Sequence, residues 1–203
     1  MPWDYHDGSR ALQDRFDTRR LADRIEDVLC SETVEGYARS FIETADHFYL
    51  GTVGPDGWPT VSYKGGDPGF VRVLDDRTLA FPNYNGNGMY VGMGNILNGS
   101  KVAMIFVNWA RGNRLRVHGT ASIDFDDPLA ATYEGAQFVV RVTTTAVWPN
   151  CPRYVHEMQS LERSAFVPRA NRETPVPGWK REAWAVDALP DGDPALDPDA
   201  TVL

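Results

Sequence analysis

Hydrophobic and polar positions alternate with two different periods along this chain, and the change of period divides it. From Ala11 to Leu29 the apolar residues Phe16, Leu21, Ile25, Val28 and Leu29 fall at helical intervals, with Ser9 placed to cap. Ser31 opens a second helical stretch, with Glu32 and Glu35 suiting the positive end of its dipole, and this helix runs to about Thr44. From His47 the period shortens to that of strands. HFYLGTV, the turn Gly54-Pro55-Asp56-Gly57 and WPTVSYK read as a hairpin. Phe70 to Leu74 and Thr78 to Phe81 are two further strands around the tight turn Asp75-Asp76-Arg77.

The stretch TLAFPNYNGNGMYVGMGNIL breaks the strand pattern once. Asn83 to Gly88 holds three Asn and two Gly, residues that favour turns and tolerate positive φ. Met89, Met93, Ile96 and Leu97 then return to helical spacing. Strands resume with Lys101 to Trp109, a turn over Ala110 to Asn113, and Arg114 to Asp124. In the last of these Leu115, Val117 and Gly119 form the dry face and Arg114, Arg116 and His118 the wet one. Asp127-Pro128 starts a short helix to about Gly135, and Phe138 to Trp148 is the final long strand. Many short strands, tight turns and one inserted helix predict a mainly β (α+β) fold: a small antiparallel split β-barrel with N-terminal helices. Three regions follow: a helical extension over 1–45, the barrel over 46–166, and a C-terminal segment over 167–203. The stretch Pro190 to Asp199 reads as a mobile acidic tail, with Trp179 and Trp184 before it placed to dock onto something.

Composition narrows the partners. The 203 residues with 42% hydrophobic content suffice for one good core. A net charge of −8 argues against nucleic acid, whose phosphates need a basic face. No apolar run reaches membrane-span length, and the polar N-terminus MPWDYHDGSR is unlike a signal peptide. The two cysteines, Cys30 and Cys151, form no CxxC pair, which suits a reduced cytoplasmic protein. His47, His118 and His156 form no ligand set, and His156-Glu157 lacks zinc-helix spacing, so no metal site is expected.

The Gly/Asn turn before a helix start is either a phosphate cradle, since free N–H groups there attract anions, or an ordinary polar loop. It is not a dinucleotide fingerprint. Val91 stands where the third glycine is needed, and a strand rather than a βαβ unit follows.

These segments, in this order, resemble the pyridoxamine 5′-phosphate oxidase-like family of FMN-binding split barrels. FYLGTVGPDGWPTVSYKGGDPGF resembles its opening hairpin, TLAFPNYNGNGMYVGMGNIL its strand-loop-helix at the flavin phosphate, and KVAMIFVNWARGNRLRVHGTASI its central hairpin. VWPNCPRYVHEM is similar to a segment of one branch. The resemblance spans roughly Val34 to Phe166. It implies a cytoplasmic homodimer with FMN at the subunit interface, doing two-electron chemistry on a small molecule.

Residue by residue, it places Lys64 near the flavin phosphate or ring, with Ser62 and Tyr63 beside it, one pointing in and one out. Phe81, Pro82 and Asn83 fall at the strand end lining the flavin ring, and Asn85, Gly86, Asn87, Gly88 and Met89 at the phosphate loop. The oxidases proper carry a basic pair in that loop. Here the corresponding Asn87 and Gly88 are neutral, so a phosphate relies on Lys64, backbone N–H groups and the helix dipole, with Arg111 or Arg114 helping. That departure keeps two alternatives open: an F420-dependent reductase on the same fold, or a non-enzymatic flavin- or heme-binding protein.

Other candidates also admit two readings. Lys64 is a flavin anchor or an exposed strand-end lysine. Trp109, Arg111 and Arg114 surround a turn that is either solvated or ligand-binding. Trp148, Asn150, Cys151, Arg153 and Tyr154 are expected to face substrate. Cys151 serves there as a packing or pocket-lining residue, and Arg153 and Tyr154 hold a polar or acidic group. No general acid or base is legible; in flavin chemistry the cofactor carries the hard step.

Overall fold

Phe48 and Phe81 meet with ring centroids 5.0 Å apart, although three strands separate theirs in the sheet. Phe48 lies on β1 (His47–Val53) and Phe81 on β4 (Thr78–Tyr84). The others are β2 (Pro59–Gly65), β3 (Arg72–Val73), β5 (Lys101–Asn108), β6 (Asn113–Asp124) and β7 (Ala136–Asn150). The order β2-β1-β5-β6-β7-β4-β3 is antiparallel at every described pairing. In a flat sheet strands lie about 4.8 Å apart, so β1 and β4 would be roughly 19 Å from each other. Contact between their phenylalanines means that the sheet curls around its core. Phe48, Phe81, Phe106, Leu50, Leu79, Met104, Leu115 and Val117 fill the inside, each at most 2% exposed. This is the expected mainly β, α+β architecture.

The computed structural model describes residues 5–99 and 101–203; the first four residues of the polar N-terminus lie outside that description. The chain divides into two compact units, one up to Gln159 and one over Ser160–Leu203.

Two bulges on β7 shape the sheet. The β6–β7 register shifts between His118 and Gly119, where a Cβ on Gly119 would stand 2.5 Å from the Thr143 carbonyl oxygen. Only glycine allows that approach. The β4–β7 register shifts between Asn83 and Tyr84, at the mouth of the curled sheet.

Helices depart from the sequence reading in their bounds. The predicted Ala11–Leu29 helix is two: α1 (Asp7–Arg15) and α2 (Arg19–Leu29), broken where Asp17 takes φ 52°. His6, not Ser9, caps α1, and its Nδ1 accepts the Ser9 N–H. Ser31 opens no helix. It forms a two-way backbone bridge with Val147, and α3 (Gly36–Glu43) begins five residues later. Local capping chemistry at Ser31 lost to a pairing with β7 that is invisible at short range.

The inserted helix, α4 (Val91–Gly99), buries Met93 and Ile96 and leaves Leu97 exposed. Met89 lies ahead of it and is also exposed. One side chain fixes α4 to the first hairpin. Asn95 Nδ2 donates to Thr52 Oγ1 at 3.0 Å and Thr60 Oγ1 at 3.2 Å, and the two hydroxyls lie 2.8 Å apart. After β6, Asp127 caps a single 3-10 turn, Pro128–Thr132, shorter than the expected helix.

The C-terminal unit is folded where a mobile tail was expected. Val176 pairs with Val202, and the Lys180 ammonium bonds Asp193 at 2.6 Å with both side chains at most 6% exposed. A buried pair of this kind orders the acidic stretch, because separating it would strand a desolvated charge. Trp179 and Trp184 stack on each other at 5.7 Å.

Candidate functional site

Strand alternation decides which residues of β2 enter the site. Ser62 and Lys64 point to the concave side, and Tyr63 between them points to the opposite face. On the concave side a cleft of about 210 Å³ opens between β2, the end of β4 and the start of α4. It is lined by Ser62, Lys64, Asn83, Tyr84, Gly86, Asn87, Gly88, Met89, Tyr90, Val91, Gly92 and Met93. Thus seven of the site residues singled out from sequence, from two strands and a loop distant in the chain, line one cleft.

The loop geometry follows from its composition. Gly88 sits at φ +76°, and the Asn87 side chain accepts the Met89 N–H at 3.1 Å. An added Cβ at Gly86 or Gly88 meets nothing within 4 Å, so both glycines border open space. Tyr90 is more unusual, an aromatic residue at φ 47°. Its hydroxyl donates to Gln137 Oε1 at 3.0 Å, and the same oxygen accepts Asn83 Nδ2 at 3.0 Å. The loop is therefore tied at both ends to the bulge on β7. Immediately beyond, the first N–H groups of α4 have no intrahelical acceptor and carry the positive end of its dipole.

Lys64 is the one charged side chain lining the cleft among the described residues. Burial pushes its amine below the ordinary lysine range. A desolvated ammonium, open glycine backbone and a helix start fit a phosphate group, and the neutral Asn and Tyr side chains suit a polar ring edge.

Other predicted residues lie elsewhere. Phe81 and Pro82 are buried and do not line the cleft; Phe81 packs on Phe48 in the core. Asn85 is exposed outside the lining. Tyr63, 61% exposed, stacks on His47 at 5.6 Å on the convex face. His47 Nε2 accepts the Trp109 indole N–H at 2.9 Å, and its Nδ1 lies 2.6 Å from Asp46 Oδ1, so the turn tryptophan is held by the His47 ring.

Arg114 is not in the cleft. It joins Cys151 and Arg153 beyond the end of β7, where its Nη2 donates to the Cys151 carbonyl. Arg153 Nε donates to Cys151 Sγ at 3.1 Å, and this bond draws the thiol below its usual range. Asn150 lies opposite Arg114 and Trp148 opposite Arg116. Tyr154, at φ 65°, is 94% exposed. The predicted site residues thus form two groups, the cleft and the β7 end.

Tyr84, Tyr90, Val91, Gly92, Met93 and the supporting Gln137 were missed. The Gly/Asn loop gave a signal for their neighbours, but nothing local in Ala136–Phe138 points to a cleft 47 residues away in the chain.

A family model described as pyridoxamine 5′-phosphate oxidase matches residues 35–162. That is more than half of the chain, and the chain belongs to this family. Comparison with curated proteins gave no match. Among solved structures, a candidate pyridoxamine 5′-phosphate oxidase from Lactobacillus delbrueckii is 28% identical, aligned over 58% of this chain and 99% of that one, with a TM-score of 0.46. An FMN-binding protein from Syntrophomonas wolfei is 12% identical over 69% and 97%, with a TM-score of 0.43. An F420 reductase is 24% identical over 58% and 95%, with a TM-score of 0.38. No helix among the described residues is long and apolar enough to cross a membrane.

Proposed function

We propose that this chain is an FMN-dependent oxidoreductase that works as a cytoplasmic homodimer on a small organic substrate. The observation that carries the reading is the cleft: a half-buried Lys64, without an ion-pair partner among the described residues, facing an open glycine loop and the start of α4. An anion there relieves the desolvation of the ammonium and meets backbone N–H groups. Ser62 and Lys64 would hold the phosphate side, with Gly86, Asn87 and Gly88 supplying backbone, and Asn83 and Tyr84 the ring side. When bound, FMN supplies two-electron chemistry at its ring. The protein's part is to bind, orient and shield.

Support for a dimer comes from the convex face. Tyr63, Tyr49, Ile105, Arg116 and Trp148 form one cross-strand row over β2, β1, β5, β6 and β7. Beside it Trp58 is 73% and Val61 72% exposed. Tyr, Trp and Arg set among apolar residues are the composition of interface cores.

The test is titration of the purified, cofactor-stripped protein with FMN and F420, followed by absorbance and fluorescence. The expected result is uptake of FMN, with Lys64→Ala weakening it roughly tenfold or more. FMN affinity undiminished in Lys64→Ala would remove the anchor on which the reading rests. Preferential uptake of F420 would replace FMN with the deazaflavin.

A further inference from the structure

Most arginines of this acidic chain that lie near carboxylates are paired with them: Arg10 with Asp23, Arg19 with Asp14, Arg39 with Glu43, Arg77 with Glu32 and Arg141 with Asp127. Beyond the end of β7 the arrangement differs. Arg114 and Arg153 converge on Cys151 from two directions, one on its carbonyl oxygen and the other on its sulfur. Neither is in an ion pair among the described residues, and Arg114 Nε is buried without a hydrogen-bond partner. A guanidinium offers five N–H donors in a rigid fork. The described bonds use one from each arginine, which leaves forked donors on both.

The backbone around this pair is built rather than loose. Met158 N–H donates to the Trp109 carbonyl at 3.3 Å and Val155 N–H to the Pro152 carbonyl at 3.2 Å. The first of these bonds holds segment 151–158 against the end of the β5–β6 connection, where Gly112 takes φ +66°, and the second closes a turn within the segment. Asn150 stands opposite Arg114, and Trp148 stands on the same face two residues back along β7. The setting combines two cations and, across the strand pair from Arg114, a neutral amide.

We propose that Arg114 and Arg153 form a second site, separate from the cleft, that holds the carboxylate of a small organic acid. Bidentate Arg–carboxylate pairing matches the free donors. The site's use as a substrate handle rests on the flavoprotein reading; its ability to bind an anion does not.

Cys151 is a built-in reporter for it. In the folded full-length protein, Cys151 is alkylated with anionic iodoacetate and, separately, with neutral iodoacetamide, and the modified peptide is resolved from that of Cys30 by mass spectrometry. In each reaction the thiolate displaces iodide and a C–S bond forms. The ratio of the two rates cancels the thiolate fraction, so it reads the local preference for an anion and not the reactivity of the sulfur. The reference is the same cysteine in the urea-unfolded chain. The expected ratio in the folded protein is roughly fivefold higher than the reference. Arg153→Gln and Arg114→Gln should each lower it toward the reference, and benzoate should slow iodoacetate more than sodium chloride does at equal ionic strength. A folded-state ratio equal to the reference, or one unchanged in Arg153→Gln, would overturn the proposal. Because the readout needs no flavin, a protein that fails to take up FMN would still report on this site.

Discussion

The Tyr90 hydroxyl and the Gln137 side-chain oxygen lie 3.0 Å apart, and through that bond a residue of the cleft is held by β7. Gln137 Oε1 also accepts from Asn83 Nδ2, so one acceptor joins the strand end and the loop. Tyr90 in a left-handed conformation is costly for an aromatic residue and needs such a tie to persist. The bond should therefore matter more for phosphate binding than for ring binding. Gln137→Met and Tyr90→Phe are each expected to weaken FMN about fivefold while changing riboflavin affinity less. The double variant should be no worse than Gln137→Met alone, since that change already removes the Tyr90 bond together with the one from Asn83. Fluorescence titration of the four proteins with both ligands checks this; fully additive losses would mean that the two residues act separately.

Lys64 carries opposite consequences for binding and for stability. Its ammonium is desolvated by burial, so its amine lies below the ordinary lysine value of 10.5. Between the folded and unfolded values the unfolded chain binds the extra proton, so the ligand-free protein gains stability as pH rises through that window. Below both values the buried charge is a constant cost. Lys64→Met should accordingly raise the Tm of the ligand-free protein at pH 7 while it weakens FMN. Wild-type FMN affinity should fall as pH rises through the lowered value, earlier than for an ordinary lysine. Lys64→Arg, which stays charged, should flatten that fall. Paired thermal melts and pH-resolved titrations check both signs.

What the sequence made legible follows from the range of the forces involved. Strand periods, the Gly54–Gly57 turn and the Gly/Asn loop are local, and β1, β2, β5 and β6 begin and end within a residue or two of expectation. Ser31 and Asp17 show where local signals fail. A good helix cap was taken by pairing with Val147, and a continuous amphipathic pattern was cut by a left-handed residue. In the cleft, the loop and Lys64 were visible as chemistry. Curling of the sheet was not, and it is the curl that sends Phe81 into the core and leaves Asn83 and Tyr84 at the rim. Arg114 was expected to help hold a phosphate in place of the basic pair missing from the loop, but the path of the chain after Asn150 brings Cys151 to it instead.

Asp127 ties the 3-10 turn after β6 to β7. Its carboxylate caps Leu129 and takes two bonds from Arg141, Nε at 2.6 Å and Nη2 at 3.0 Å, with the Asp127 side chain 2% exposed. The Arg141 hydrogen bond holds the acid below its usual range of about 3.8. The stabilisation is thus fully present above the unfolded carboxyl pKa and is lost as pH falls through the lower folded value. Asp127→Ala should cost about 2 kcal/mol at pH 7, less than a fully buried pair because Arg141 is 39% exposed. Urea unfolding at pH 7 and pH 3 should show a smaller acid-induced loss in the variant than in the wild type. Equal losses in both proteins would place the acid sensitivity elsewhere.

The exposed apolar face makes the last prediction one of assembly. Val61 and Tyr63 stand on edge strand β2, 72% and 61% exposed, with Trp58 beside them at 73%. A long edge strand with such residues invites association unless a partner covers it. If a second copy does so, Val61→Glu places a charge in the middle of that contact and leaves the core of the sheet untouched, because Val61 lies on the convex side. The variant should elute as a monomer by size-exclusion chromatography with light scattering, at concentrations where the wild type is dimeric. Its far-UV circular dichroism should match the wild type. FMN affinity should fall along with dimerisation if the cofactor lies at the subunit interface, and should survive if the cleft of one subunit is sufficient. A wild type that is monomeric at all concentrations would refute the dimer and leave the convex face to another partner.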